Sequence, residues 1–397
     1  MAFIGRQGRQ GRHKWQRQQG WYDWQKRERR LRWMKRLGWL PILLAALTLL
    51  LISHLSTNFA IWYAVNIFPF FVHTIGRFFG FFPFSVMEIL LILTGLVLVW
   101  GVISTVTKLF SPQGRAKLMV RITIIPFVIF YFLSVLFLLF VLTSGINYGR
   151  ESYAYHIGIE VEDSSADELI QLFLMLVERA EDLSNQIEVD EYGHFMLNRA
   201  GLYVYARQSM HGLHELYGGL GTYFPRAKAP VLSRLILSNF RISGFFSPWT
   251  MEAHYNGDMP GQAIPFIINH ELAHFIGHMR EDEANFIAYL AARDSVSVNF
   301  QYSAVYMALN YVLNALGGNV SAQRYGELFD LLPEQIVRDF AVSRAYWRAF
   351  DGPMADLQVR VNDAYLRLNQ QEDGVQSYGR MVDLMLAYYR VRMFSHQ

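Results

Sequence analysis

No cysteine occurs among the 397 residues, which excludes disulfides, thiol catalysis and any Cys-ligated metal or cluster. A metal site, if the chain builds one, has histidine and carboxylate to draw on. Acidic residues are nearly missing from the first part of the chain. Residues 1–36 hold 12 Lys/Arg against 2 acids, and residues 37–144 hold 5 against 1. The remainder, 145–397, carries 19 basic and 30 acidic residues, so the overall charge of +3 hides a basic head on an acidic body. A basic block directly before an apolar run sets membrane orientation, and nucleic acid is not expected as a partner. Internal repeats are absent, as are long polar linkers beyond the head.

What the sequence has in excess is apolar side chains: 52% hydrophobic and 15% aromatic, high for a purely soluble protein. Residues 1–36 form a basic head that is expected in the cytoplasm. Residues 37–144 form a membrane region with about three transmembrane helices, at 37–55, from Val86 to about Leu109, and from Ile122 to about Leu142. A cleaved signal peptide fits the first run poorly, because its basic region is long and its apolar stretch exceeds the usual 7–15 residues. The aromatic segment between the first two runs, with Gly and Pro, is expected to be interfacial or re-entrant. Arg115, Lys117 and Arg121 mark the 110–121 connection as cytoplasmic, whereas 56–85 holds only Arg77. Three crossings then place residues 145–397 outside the cytoplasm, at a bacterial cell membrane whose lipid bilayer is the first partner.

Residues 145–397 are expected to be predominantly helical. Ser165-Ala-Asp-Glu168 is a capping pattern ahead of an amphipathic run. Further helices are expected at 191–217, 262–277, 281–293, 299–316, 333–350, 354–369 and 375–393. Gly218-Gly219 and Gly317-Gly318 mark breaks, and 235–256 is the best place for extended structure.

The chemistry concentrates in PFIINHELAHFIGHMREDEANFIAYLAAR, residues 265–293. On a helix, His270 and His274 lie one turn apart, so both imidazoles project from one face and can share a tetrahedral zinc ion; Glu271 beside them is placed to take a proton from a water that the metal activates. Pro265 suits the helix start and Gly277 its exit. A catalytic zinc site needs a third protein ligand, and the next helix offers Glu281 and Glu283, which point about 200° apart around its axis, so at most one of the two is expected to reach the metal. Glu281-x-x-x-Asn285 resembles the glutamate zincins, in which a glutamate of the second helix binds zinc and a polar residue four positions later orients a histidine; their usual Asp is Asn285 here. The metzincin pattern HExxHxxGxxH fails at Arg280, which cannot ligate zinc. His278 is expected beside the site rather than on the metal. Candidate donors to an oxyanion are Tyr302, Tyr306, His254, Tyr378 and Arg380, and 253–258 is either an edge strand for substrate backbone or a plain loop.

These segments, with ISGFFSPWTMEAHYN upstream and VNDAYLRLNQQEDGVQSYGRMVDLMLAYY downstream, resemble an uncharacterised bacterial membrane family, domain of unknown function 3810, whose members are regarded as zinc metallopeptidases. The likeness covers most of 37–393. It implies a mainly α fold, transmembrane helices followed by a zincin-like domain, with zinc on His270, His274 and Glu281 and catalysis by Glu271. The expected function is hydrolysis of a peptide bond in a protein or peptide at the outer face of the membrane. The other expectations are a zinc-containing signalling or assembly protein with little turnover, and a cell-wall peptide amidase, which the same residues would serve. The charges at His278 to Glu283 place the site in an aqueous domain rather than in lipid.

Overall fold

In the computed structural model, residues 37–110, 112–162, 164–369, 371 and 380–394 are described. The protein is mainly helical, with apolar helices near the N-terminus. It divides into two compact units, one comprising residues 1–49 and 97–139 and the other 50–96 and 140–397.

The first unit draws on three helices: α1 (Trp39–Leu55), α3 (Val86–Leu109) and α4 (Pro112–Thr143). Within it Trp39 stacks on Phe130 with ring centroids 5.2 Å apart. Leu44, Leu47, Val97, Leu98, Trp100 and Phe132 are exposed, and a helix that shows apolar residues on every side is suited to lipid. Arg115, Lys117 and Arg121 belong to the first turns of α4 rather than to a connecting loop.

Three helical runs are long and apolar enough to cross a membrane: Thr57–Gly80, Val86–Leu109 and Ile124–Gly149. The second and third are the runs expected from sequence. The first is the aromatic segment, whereas the 37–55 run yields a 17-residue helix that falls short of that length. Ser56 is the reason, because its hydroxyl accepts from Phe59 N at 3.2 Å and starts a new helix, α2 (Thr57–Asn66). Pro69 does not break the run beyond α2, since it falls in the first turn of Phe68–Phe71, where a missing N–H costs nothing. The run has two faces. Ala60, Tyr63, Phe68 and Val72 are buried, whereas Trp62, Val65, Phe70 and Phe78 are exposed. On the buried face, Phe275 packs so closely on Gly76 that a Cβ there would lie 2.8 Å from its ring.

The second unit is built around helices α5 (Ala166–Ser184), α6 (Leu202–Tyr217), α7 (Ile264–Phe275), α8 (Glu281–Arg293) and α9 (Val298–Asn319). Its α9 packs along α5 and across α8, and α8 packs on α7. Ser165 and Glu168 form the expected reciprocal capping box at the start of α5. Residues 191–201 are not helical: Asp190 Oδ1 accepts from the backbone of Tyr192 and His194, a turn that competes with helix, and α6 begins only after Gly201 at φ 84°. Gly218 ends α6 as expected, but Gly317 and Gly318 stay inside the last turn of α9. Beyond it lie α10 (Ala322–Phe329), α11 (Glu334–Arg348), α12 (Pro353–Leu368) and α13 (Met381–Phe394). The expected start of the last helix, 375–379, is outside the described residues.

Extended structure falls within 235–256, as β1 (Gly244–Ser247) and β2 (Glu252–Tyr255), an antiparallel pair with Gly244 opposite Tyr255 and Ser247 opposite Glu252. The other edge of β2 bridges Lys228. Glu252 then reaches the start of α3, where its carboxylate accepts from Val86 N at 3.0 Å and Met87 N at 2.8 Å, the favoured place for a negative charge. Lys228 Nζ sits 2.5 Å from the same carboxylate and donates also to the Phe79 carbonyl, so this buried ion pair is satisfied on both sides. Glu88 closes the junction by accepting from the backbone of Val231 and Leu232.

Candidate metal centre

Helix α7 takes Pro265 into its first turn and buries every one of its residues, so its two histidines project into protein rather than solvent. Gly277, at φ 95°, turns the chain out of the helix. Four residues later α8 begins, with Glu281, Asp282 and Glu283 in its first turn, where the helix dipole favours acids. The turn brings Glu281 back over α7. Its Oε2 lies 3.1 Å from His270 Nε2 and 3.5 Å from His274 Nε2, and the two Nε2 atoms are 3.0 Å apart.

The other ring nitrogens decide what these atoms can do. His274 Nδ1 is 2.8 Å from the His278 carbonyl oxygen, which only accepts, so the proton sits on Nδ1. His270 Nδ1 is likewise 2.8 Å from Asn285 Oδ1, while Asn285 Nδ2 donates to the Tyr311 hydroxyl at 3.2 Å. With both rings neutral, the two Nε2 atoms therefore present bare lone pairs toward each other and toward Glu281 Oε2, which is buried without a hydrogen-bond partner. Three electron-pair donors converging in a buried space repel one another unless a cation sits between them, and two imidazoles with one carboxylate suit a divalent transition metal. His270, His274 and Glu281 form the group able to hold such an ion among the described residues.

In the metal-free site a proton on His274, set against Glu281, takes the place of the cation. Burial works against a charge on Glu281, but His274 and then His270 outweigh it and hold the carboxyl well below the ordinary carboxylate range. Burial lowers His270. On His274 burial also acts to lower, yet the Glu281 carboxylate prevails and raises the imidazole to about 9. Glu271 is pushed up to about 8 by burial. Its Oε2 is buried with no hydrogen-bond partner, the state of a carboxylate poised to accept a proton.

His270 and Glu271 open on a cleft of about 680 Å³, bounded by Gly244 of β1, by Tyr306 and Tyr311 of α9 and by Trp347 of α11. Gly244 is pressed against Glu271: a Cβ there would meet Glu271 Oε1 at 2.5 Å. Arg344 and Arg348, one turn apart on α11, line the cleft and have no ion-pair partner among the described residues, whereas Arg241 pairs with Asp351 at 2.7 Å.

Several residues singled out in the sequence lie elsewhere. Glu283 faces Arg280 and lies 3.5 Å from His278 Nδ1, away from the imidazole pair. His278 is buried against the edge of Tyr153. Tyr302 donates to Asp339 at 2.6 Å in the core. His254 stacks on Phe245, meets Ser85 Oγ at 2.8 Å and is lowered to about 4 by burial. Arg380 approaches Asp282 at 3.8 Å, Tyr378 is outside the described residues, and Tyr306 is the one of the five that lines the cleft. Residues 253–255 belong to the inner strand, so the sheet edge beside Glu271 is β1 instead. Tyr311 and Gly244 went unnoticed in the sequence. The helical spacing of Tyr306, Asn310, Tyr311 and Asn314 along one face of α9 is the available sign for the first; nothing local marks the second.

Residues 63–386 match the family described as Protein of unknown function (DUF3810). The chain belongs to this family. No curated protein and no solved structure matches it. In this DUF3810 chain the matched stretch takes in both helices that carry His270, His274 and Glu281 and the whole cleft, so the geometry above lies inside the family's own boundaries.

Proposed function

We propose that this chain is a membrane-anchored zinc metallopeptidase of the zincin type, hydrolysing a peptide bond of a protein or peptide at the outer face of the membrane. The observation that carries the reading is the convergence of two Nε2 atoms and an orphaned carboxylate oxygen beside a buried Glu271, whose Oε2 has no hydrogen-bond partner, in an open cleft. His270, His274 and Glu281 would hold the ion. When bound, zinc supplies the Lewis acidity that brings the pKa of water to about 7 and polarises a carbonyl.

The chain's own residues do the rest. Glu271 accepts the proton of the attacking water on its free Oε2 and returns it to the leaving amine. Asn285, by accepting from His270 Nδ1, fixes that ring's tautomer and angle, and Tyr311 fixes Asn285 in turn. The substrate backbone lies along β1, whose outer edge pairs with no strand among the described residues. A structural metal would not need Glu271, and this favours a hydrolase over a scaffold.

The test is Glu271→Gln in the full-length chain, with membrane and secreted protein fragments compared between cells carrying the variant and the wild type. Gln keeps the shape but cannot take the proton, so zinc content and folding should persist while hydrolysis falls by about 10²–10⁴-fold. Unchanged cleavage in the variant would sink the mechanism.

A further inference from the structure

A second cavity, of about 310 Å³, lies apart from the metal cleft, between the Thr57–Gly80 run and the segments 150–156 and 219–223. One wall is apolar, made by Ile61, Ala64, Val65, Phe68 and Val72. The opposite wall carries Arg150, with Ser152 and His156 beside it and His73 and Glu151 at the rim. Arg150 has no ion pair and no side-chain hydrogen bond among the described residues, although it is partly buried and lies close to a second cation, Arg280. Burial first, and Arg280 second, lower its guanidinium to about 10, the direction expected of a cation withdrawn from water without a counter-ion. Glu151 is exposed and forms no pair with it. Burying an unpaired guanidinium is costly, and a bound anion removes that cost.

An apolar wall on a helix able to cross a membrane, facing an unpaired cation, matches an amphiphile with a negative head. We propose that this cavity is a binding site for an anionic phospholipid, its phosphate on Arg150 and its acyl chain along Ile61, Val65 and Phe68. The volume takes the headgroup and the first carbons of one chain, and the remainder lies along the exposed face of Val65. Arg150 follows directly on the Ile124–Gly149 run, the level at which a lipid phosphate is met.

The experiment uses the purified full-length chain, exchanged into vesicles of phosphatidylcholine doped with phosphatidylglycerol, with bound lipid quantified by mass spectrometry. High salt screens the basic head, which every variant shares. Arg150→Gln should lower the enrichment of phosphatidylglycerol roughly tenfold, the effect of losing a charge-assisted contact, and Arg150→Lys should restore part of it. Ala64→Trp, which fills the cavity and leaves Arg150 in place, should abolish the enrichment too and carries the test if the arginine variants fail to fold. Equal enrichment in wild type and Ala64→Trp, or no preference for the anionic over the zwitterionic lipid, overturns the proposal. So does displacement of the lipid by millimolar inorganic phosphate, which would make this a site for a soluble anion.

Discussion

Replacing Gly244 by alanine probes the contact between β1 and Glu271. The added methyl would meet Glu271 Oε1 at 2.5 Å, Ile267 Cγ2 at 2.7 Å and the His254 carbonyl oxygen at 2.9 Å. The first of these belongs to a flexible side chain, but Ile267 is branched at Cβ, and the carbonyl belongs to the paired strand β2 and cannot withdraw without disturbing the ladder. Restoring ordinary contact at 3.4 Å therefore requires β1 to move by nearly an ångström or Glu271 to swing away. Overpacking of this kind costs about 1–3 kcal/mol. For a unit of this size that lowers Tm by roughly 2–5 °C. A 1 Å misplacement costs about 10²-fold in rate. Hydrolysis should thus fall by about two orders of magnitude while bound zinc stays stoichiometric, because the added methyl meets none of the three ligands. Differential scanning fluorimetry, metal analysis and a cleavage assay read the three quantities. Gly212→Ala is the control, since nothing lies within 4 Å of its added carbon. If Gly244→Ala keeps both the Tm and the activity of the wild type, β1 does not lie against Glu271 and the substrate edge is elsewhere.

Glu281→Gln should weaken zinc binding far more than Glu283→Gln, measured by chelator competition, because Glu281 alone of the two faces the imidazole pair; the reverse order would move the third ligand to Glu283. Acid should release the metal, since protons compete for the same Nε2 lone pairs, and retention measured from pH 7 downward should fall as the imidazoles charge. In metal-free protein the depressed Glu281 contributes stability that is present above the ordinary carboxylate value of about 4.3 and is lost as pH falls below it, so an acid titration of unfolding should show a Glu281-dependent loss there. A reporter fused after Gln397 should be active only outside the cytoplasm if the basic head stays inside and three runs cross; activity inside would mean an even number of crossings.

The grouping of His270, His274 and Glu281 was legible because its determinants are local. His270, Glu271 and His274 share one helix, Gly277 supplies the turn, and Glu281 and Asn285 follow on the next helix, so two periodicities and one glycine place five residues. The cleft was not legible in the same way. Its walls come from β1, α9 and α11, separated by tens of residues, and nothing marks Gly244 until Glu271 is set against it. The membrane runs were found by composition, but the boundary at Ser56 depends on one capping hydroxyl, which no hydropathy pattern reveals. The break expected at Gly317-Gly318 failed because glycine only weakens a helix, by about 1 kcal/mol each, and the packing of α9 on α5 outweighs it.

The clamp of Glu252 and Lys228 on the start of α3 sets a distance as well as a fold. Charged groups are excluded from lipid, so if α3 crosses the membrane the level of Val86 would mark where the bilayer ends along it. From Glu252 the strand runs only to Tyr255, which stands opposite Gly244 and hence beside Glu271. Three extended residues span about 10 Å. For the proposed peptidase the scissile bond is thus held within a fixed, short reach of the membrane surface: a chain leaving the same bilayer arrives after a few residues, and a peptide in solution gains nothing from the tether. On that reading the junction would act as a ruler, and the segment it measures off would be the stalk of a membrane-bound substrate rather than a remote loop.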